Sequence, residues 1–442
     1  MATPRSSTYS TYSGGGVFAG VAGGLVRPPS SPVTGTIFFI GDSITEENYG
    51  CCPWTMALAM LGGNAPKIVH NAGHSGQSIS GLISQIDLSY VDLTGGPMGL
   101  VGMTPTGWGC LRIGTNNVRG AEGSTGVPLD GGMQTDYVTL ITKLLTYCQH
   151  LVIFPVPPIG GITLAKNTAV PGYNAYLKSL VLADTTGRLH WVDDCADLVD
   201  GSGAVKAGYM HPTDELHPFP PGMYRMALTA LPQLQSLFSA QAYTSGISTD
   251  AADVYPAQPQ WVGNHVNAGS AGTLGAGITG TAPTGWDVTC SSGAACAVSI
   301  VAADGGDSNT VPWLRFTPSA GIASGYIGAD ITGGGAAVTS ATPLDIEQIA
   351  EIRFSDVDAT RIAEVWLGLQ VGSFYLPKDA RIRVDGWNEG TITRTWKLRK
   401  ATHRKDNNAG GGSTVRNKFV LNTNAFSGGA GTIDVRCYTN RG

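Results

Sequence analysis

Short runs of apolar residues punctuate the first half of the chain: TIFFI (36–40), KIVHN (67–71), GCLRI (109–113), LVIFPV (151–156) and LHWVD (189–193). Each run is continuous rather than alternating, the mark of a strand covered on both faces. The stretches between them follow a helical period instead. In 135–148, residues Tyr137, Leu140, Ile141, Leu144, Leu145 and Cys148 fall on one stripe. Weaker helical patterns occupy PWTMALAML (53–61), YNAYLKSLVLAD (173–184) and GMYRMALTAL (222–231). Strand alternating with helix predicts a three-layer α/β domain, a parallel sheet between two layers of helices, over residues 35–240.

Beyond Ala240 the pattern changes. Residues 241–260 read as a linker, with prolines and few apolar positions in STDAADVYPAQPQ. Over 261–442 the runs GWDVTC, WLRFTP, EIRFSDV, AEVWLGLQV, ARIRVDGW, TITRTWKLRK and NKFVLNT follow one another without helical stretches between them. Several alternate, as Ile392, Arg394, Trp396 and Leu398 do against their threonine and lysine neighbours. That pattern predicts an antiparallel β-sandwich of the jelly-roll kind. Residues 1–34 are a Gly/Ser/Pro-rich, low-complexity lead expected to form a flexible arm, without the charged start and compact apolar core of a secretion signal.

Composition agrees with this division. A chain of 442 residues exceeds what one core usually organises. Charged residues make up only 13% and glycines number 62, which suits loops and β-structure. A net charge of −5 argues against nucleic acid as a main partner. Basic residues nevertheless outnumber acidic ones from Lys378 onward, and TRTWKLRKATHRK (393–405) is either a solvated strand or a surface for an acidic polysaccharide, with Trp396 to stack on a sugar. No segment has the ~18 apolar residues of a membrane span. The 8 cysteines are scattered. Cys290 and Cys296 could close a small loop in an oxidising compartment, and no cysteine–histidine cluster suggests a zinc site.

The chemistry centres on GDS at 41–43, directly after the first strand. Ligands of open α/β sheets sit outside the carboxyl ends of the strands, so Ser43 stands where a nucleophile would be useful. Asp and Ser are also ordinary helix caps, and GDS alone does not separate the two readings. A second signal lies near the domain's end, in HPTDELHP (211–218). A serine hydroxyl needs a base, and the base needs a group that fixes its tautomer. Asp214 and His217, three residues apart, can supply both from one loop. His211 and His74 are alternative bases that rank behind His217. Donors for a developing oxyanion are offered by the glycines of NAGHSGQS (71–78) and by Asn116 in RIGTNN (112–117). Tyr49, Trp54, Trp108 and Phe219 lie near these motifs; Trp108 is expected in the core, whereas Phe219, beside the base, and Tyr49 are candidates for the substrate pocket.

Taken in order, GDS, NAGHSG, GTNN and DELH make residues 36–240 resemble the GDSL/SGNH hydrolase family. The resemblance implies a flavodoxin-like three-layer fold and an esterase that uses no metal or other cofactor. It implies Ser43 as nucleophile, His217 as general base and Asp214 as its orienting partner. The oxyanion donors would be the backbone N–H groups of Ser43 and Gly76 and the side chain of Asn116, Gly76 being preferred to Gly73 by the match of the Ser-Gly pair. The family usually has Asp where this chain has Asn117, which puts the packing of that loop in question. The C-terminal region resembles jelly-roll appendages of bacteriophage tail proteins and some bacterial surface enzymes. Together these features lead to the expectation of a carbohydrate O-acetylesterase acting on O-acetylated bacterial surface polysaccharide, extracellular or carried on a virion beside other tail proteins. A secreted lipase, arylesterase or thioesterase, or an inactive glycan-binding adhesin, are the alternatives.

Overall fold

The structure is a computed structural model. It describes residues 33–46, 57, 66–90, 97–119, 129–159, 169–200, 204–211, 216–238, 269–290, 295–304, 312–318, 325–331, 336–338, 344–358, 362–371, 374–376, 381–383, 391–404, 413–423 and 431–441. The predicted arm at 1–34 (save its last two residues), the linker at 241–260, and most of PWTMALAML lie outside these residues.

The apolar runs of the first half become strands β1 (Val33–Gly41), β2 (Lys67–Gly73), β3 (Thr106–Arg112), β4 (Cys148–Ile153) and β5 (Leu189–Trp191). They lie side by side in the order β5-β4-β3-β1-β2, every neighbour parallel. This is the flavodoxin-like order, in which the connections reverse direction between β1 and β3 and open a crevice at the strands' carboxyl ends. Register makes those ends level, with Gly41 opposite both Gly73 of β2 and Arg112 of β3.

Helices α1 (Ser43–Glu46), α2 (Ile79–Gln85), α3 (Thr115–Arg119), α4 (Gly131–Leu144), α5 (Ala169–Ala183) and α6 (Pro220–Phe238) follow in chain order. On one face of the sheet Phe38, Ile40, Leu111, Leu151 and Ile153 bury themselves against Ile79 and Leu82 of α2, Leu140 and Leu144 of α4, and Tyr173 and Leu177 of α5. On the other face Trp108 meets Phe238 of α6 edge-on at 4.8 Å. Each such side chain contributes about 1.5–3 kcal/mol by leaving water.

Predicted helix boundaries move, most clearly at one helix. The helix expected at 135–148 starts at Gly131, because Asp130 accepts the N–H of Met133 at 2.7 Å and so caps it; Cys148 already belongs to β4. Helix α2, which starts directly after the motif that ends at Ser78, was not anticipated.

The C-terminal strands are β6 (Thr273–Leu274), β7 (Ile278–Gly280), β8 (Trp286–Cys290), β9 (Cys296–Val301), β10 (Trp313–Pro318), β11 (Gly325–Ile331), β12 (Ala336–Val338), β13 (Leu344–Asp358), β14 (Ile362–Val371), β15 (Phe374–Leu376), β16 (Arg381–Arg383), β17 (Thr391–Arg404), β18 (Ser413–Thr423) and β19 (Thr432–Arg441). They form the two sheets of a β-sandwich, β17-β13-β19-β10-β9-β7 and β15-β14-β18-β11-β8-β6. The expected antiparallel pairing holds except that β6–β8 and β7–β9 are parallel. The first sheet also meets the edge of the α/β sheet, Lys400 lying opposite Ile68 of β2. In the register of the basic strand, Lys397 lies opposite Glu351 and His403 opposite Asp345. The bridge considered for Cys290 and Cys296 is not formed: Cys290 Sγ donates to the Ala276 carbonyl at 3.1 Å and Cys296 Sγ to the Ala297 carbonyl at 3.4 Å.

Candidate active site

Three loops meet at the level strand ends. The first is the exit from β1. Gly41 is demanded by space rather than by an unusual dihedral: a Cβ there would lie 2.2 Å from the Arg112 carbonyl oxygen and 2.4 Å from Thr45 Oγ1. The chain then turns directly into α1, where Thr45 and Glu46 N–H groups both donate to the Asp42 carbonyl at 3.0 Å. Ser43 opens this short helix and is buried.

The second loop follows β2. Gly73 is equally constrained, a Cβ falling 2.3 Å from Glu46 N. Asn71 ties the two loops, its side-chain amide donating to the Thr45 carbonyl at 2.9 Å while its oxygen accepts the Gly73 N–H at 3.0 Å. Gly76 is different. It has φ +80°, a left-handed conformation that favours glycine, and nothing lies within 4 Å of where its Cβ would be. Its backbone is therefore presented on an open, exposed surface.

The third loop follows β3. Asn116 donates from its side-chain amide to the Gln77 carbonyl at 2.9 Å, which anchors the group and leaves the second N–H of the amide to point elsewhere. Asn117, standing where the resemblance leads one to expect Asp, accepts the N–H of Ile79 at 3.0 Å. A carboxamide oxygen thus fastens this loop to the start of α2.

Into this rim comes His217. Its Nε2 lies 2.7 Å from Ser43 Oγ, although the residues are 174 apart in sequence. The segment bearing His217 is closed on itself. His211 N–H donates to the His217 carbonyl at 2.8 Å, Phe219 N–H donates to the Tyr209 carbonyl at 2.9 Å, and Met210 bridges Pro218. Phe219 is half-buried, its ring edge-on to His211 at 5.6 Å, so His211 faces Phe219. His74 donates its backbone N–H to the Gly41 carbonyl. Asp214 and Tyr49 lie outside the described residues.

Beneath the rim is a buried charge cluster. Arg112 Nη2 donates to both carboxylate oxygens of Asp194, at 2.6 and 2.5 Å, and neither side chain reaches solvent. Burial works most strongly against the guanidinium's charge, but Asp194, Cys195 and Asp42 together outweigh it and hold Arg112 above its ordinary value. Asp42 is also fully buried, its Oδ1 accepting the Ile44 N–H at 3.1 Å. Burial pushes this carboxyl up, while the Ile44 N–H, the Thr115 hydroxyl and the charges of Arg112 and His217 pull it down. The sequence reading passed over Arg112 and Asp194. A charged residue closing a strand whose other positions are buried was the available signal, because such a charge requires a partner.

No protein-family model and no curated protein matches the chain. Solved structures do resemble it. A protein from Desulfitobacterium hafniense assigned to the lipolytic G-D-S-L family is 18% identical, with 45% of this chain and 98% of that one covered and a TM-score of 0.33. A GDSL-like lipase from Bacteroides thetaiotaomicron is 17% identical over 51% of this chain and 97% of its own, TM-score 0.33. An acetylxylan esterase from Geobacillus stearothermophilus, in a catalytic-mutant form, is 15% identical over 50% and 100%, TM-score 0.35. The fold assignment rests on the strand order described above, and the chemistry on the geometry around Ser43.

Proposed function

We propose that the protein is a serine ester hydrolase of the SGNH type. The observation that carries this reading is the 2.7 Å contact between Ser43 Oγ and His217 Nε2 at the carboxyl ends of a parallel sheet. In this reaction Ser43 Oγ attacks the ester carbonyl as His217 Nε2 takes its proton. The tetrahedral oxyanion is met by the N–H groups of Ser43 and Gly76 and the outward N–H of Asn116. Collapse expels the alcohol, which receives the proton from His217. Water then attacks the acyl-serine by the same proton path and releases the acid. Asp214, three residues before the base, fits the role of holding the imidazole with Nε2 toward the serine. Phe219 and Tyr49 are assigned to the substrate pocket.

For the substrate we favour an acetyl ester on a bacterial surface polysaccharide, with the C-terminal β-sandwich presenting the glycan, and a virion tail as the setting. The support is the pairing of this chemistry with a Gly/Thr/Ser-rich sandwich carrying a basic strand.

p-Nitrophenyl acetate turnover tests the chemistry. Ser43→Ala is expected to lower kcat at least ~10³-fold, the scale of losing a nucleophile; equal rates in the two proteins would remove the proposal. Longer acyl esters separate a deacetylase from a lipase, and acetate release from capsule or O-antigen tests the glycan.

A further inference from the structure

We infer that Arg112 and Asp194 are positioning residues that hold the loop of His217 in register with Ser43; this rests on the hydrolase reading. Arg112 touches both halves of the site through different atoms. Its backbone carbonyl lies against Gly41, so closely that no side chain fits between them, and Ser43 follows two residues later. Its guanidinium grips Asp194, which follows β5. From there the connection runs on to the histidine. Cys195 and Leu198 pack with Met226 of α6 and with Tyr209. Leu198 also accepts the Lys206 N–H at 2.9 Å, and Tyr209 accepts the Phe219 N–H, which fixes the strand-like arm that carries His217. On its far side the same segment is fastened to α6, where Gln233 pairs with both backbone groups of Asp193. The Asp193–Leu198 segment is thus held between the sheet and α6, and Arg112 is its tie to the sheet.

A wholly buried ion pair is a poor way to gain stability. Apolar residues of similar volume commonly do as well or better, whereas removing one partner strands the other charge and destabilises severely. What the pair adds over a greasy contact is direction: Nη2 sits between both oxygens of Asp194 while Nη1 reaches Cys195 Sγ at 3.9 Å, so one planar guanidinium contacts two successive residues and fixes distance and angle together. A small displacement between nucleophile and base is costly in rate. The two roles therefore separate in a double replacement.

The full-length protein carrying Arg112→Met with Asp194→Leu is compared with wild type, Asp194→Asn and Ser43→Ala by thermal unfolding and p-nitrophenyl acetate kinetics. Asp194→Asn alone should lose both stability and activity. In the double variant the unfolding midpoint should return to near wild type while kcat stays at least tenfold low and KM changes less than threefold. Recovery of kcat together with the midpoint would show a merely structural pair and overturn the inference. Should the double variant not fold, Arg112→Lys, which keeps the charge but loses the planar guanidinium and its second nitrogen beside Cys195, decides: a tenfold fall in kcat at an unchanged midpoint supports positioning, and an unchanged kcat refutes it. Ser43→Ala keeps the two ideas apart, because wild-type activity there would defeat the hydrolase reading itself, whatever the pair does.

Discussion

Asn117 offers the sharpest test of how the loop of Gly76 is held. Its side-chain oxygen accepts the N–H of Ile79, the first residue of α2, while Ser78 caps the N–H of Gly81 at 3.1 Å. Asn117→Ala removes the first of these. The site is half-buried, so water recovers only part of the lost bond, and no sealed cavity forms; the expected cost is about 1 kcal/mol. Asn117→Asp keeps the acceptor and adds a negative charge at the helix's positive end, which should stabilise by about 0.3–1 kcal/mol. For a unit the size of the α/β region, 1 kcal/mol corresponds to roughly 2–4 °C in the unfolding midpoint. Thermal unfolding at low salt should then rank the three proteins Asp above Asn above Ala. In about 1 M salt the advantage of Asp should shrink, and the deficit of Ala should not. Because Gly76 sits three residues before Ile79, the Ala variant should also lose kcat a few-fold. An Ala variant as stable as wild type, or an Asp variant less stable than it, would refute the claim that this oxygen secures the helix start.

Gly73→Ala places a methyl onto the backbone of Glu46, which cannot yield as a flexible side chain would, so a loss of about 1–3 kcal/mol and of most esterase activity is expected; Gly131→Ala, with nothing within 4 Å, is the control and should be neutral or slightly stabilising by denaturant unfolding. His190 Nε2 lies 3.1 Å from His150 Nδ1, and burial first, then the His150 charge, lowers the His190 pKa to about 4. Folding therefore favours the neutral ring: its contribution is complete above about pH 6.5 and is lost as pH falls toward 4, because the unfolded chain binds the proton first. Unfolding midpoints should drop between pH 7 and 4.5, and His190→Phe should flatten that drop; an equal slope in both proteins would contradict it.

The strands β1 to β5 were legible because each is a continuous apolar run, and burial on both faces leaves no polar alternation to confuse the signal. Ser43, His217, Gly76 and Asn116 stood out as candidates because few residue types can serve as nucleophile, base or oxyanion donor, and because each stands just beyond a strand or in a late loop; the structure brings Ser43 and His217 into contact. Trp108 was likewise expected in the core, and it is buried there. The reason for each glycine was not legible. Gly41 and Gly73 answer to backbone atoms of other loops, contacts that exist only once three strand ends are level, whereas Gly76 answers to its own φ. The partnership of Arg112 with Asp194 and that of Asn117 with Ile79 were equally hidden, since a hydrogen bond between distant segments leaves no periodic trace. Local propensity and patterning thus wrote the elements and the candidate groups into the chain. Which of those groups face one another was decided by strand order and register, because only the folded sheet sets the distance between segments 174 residues apart.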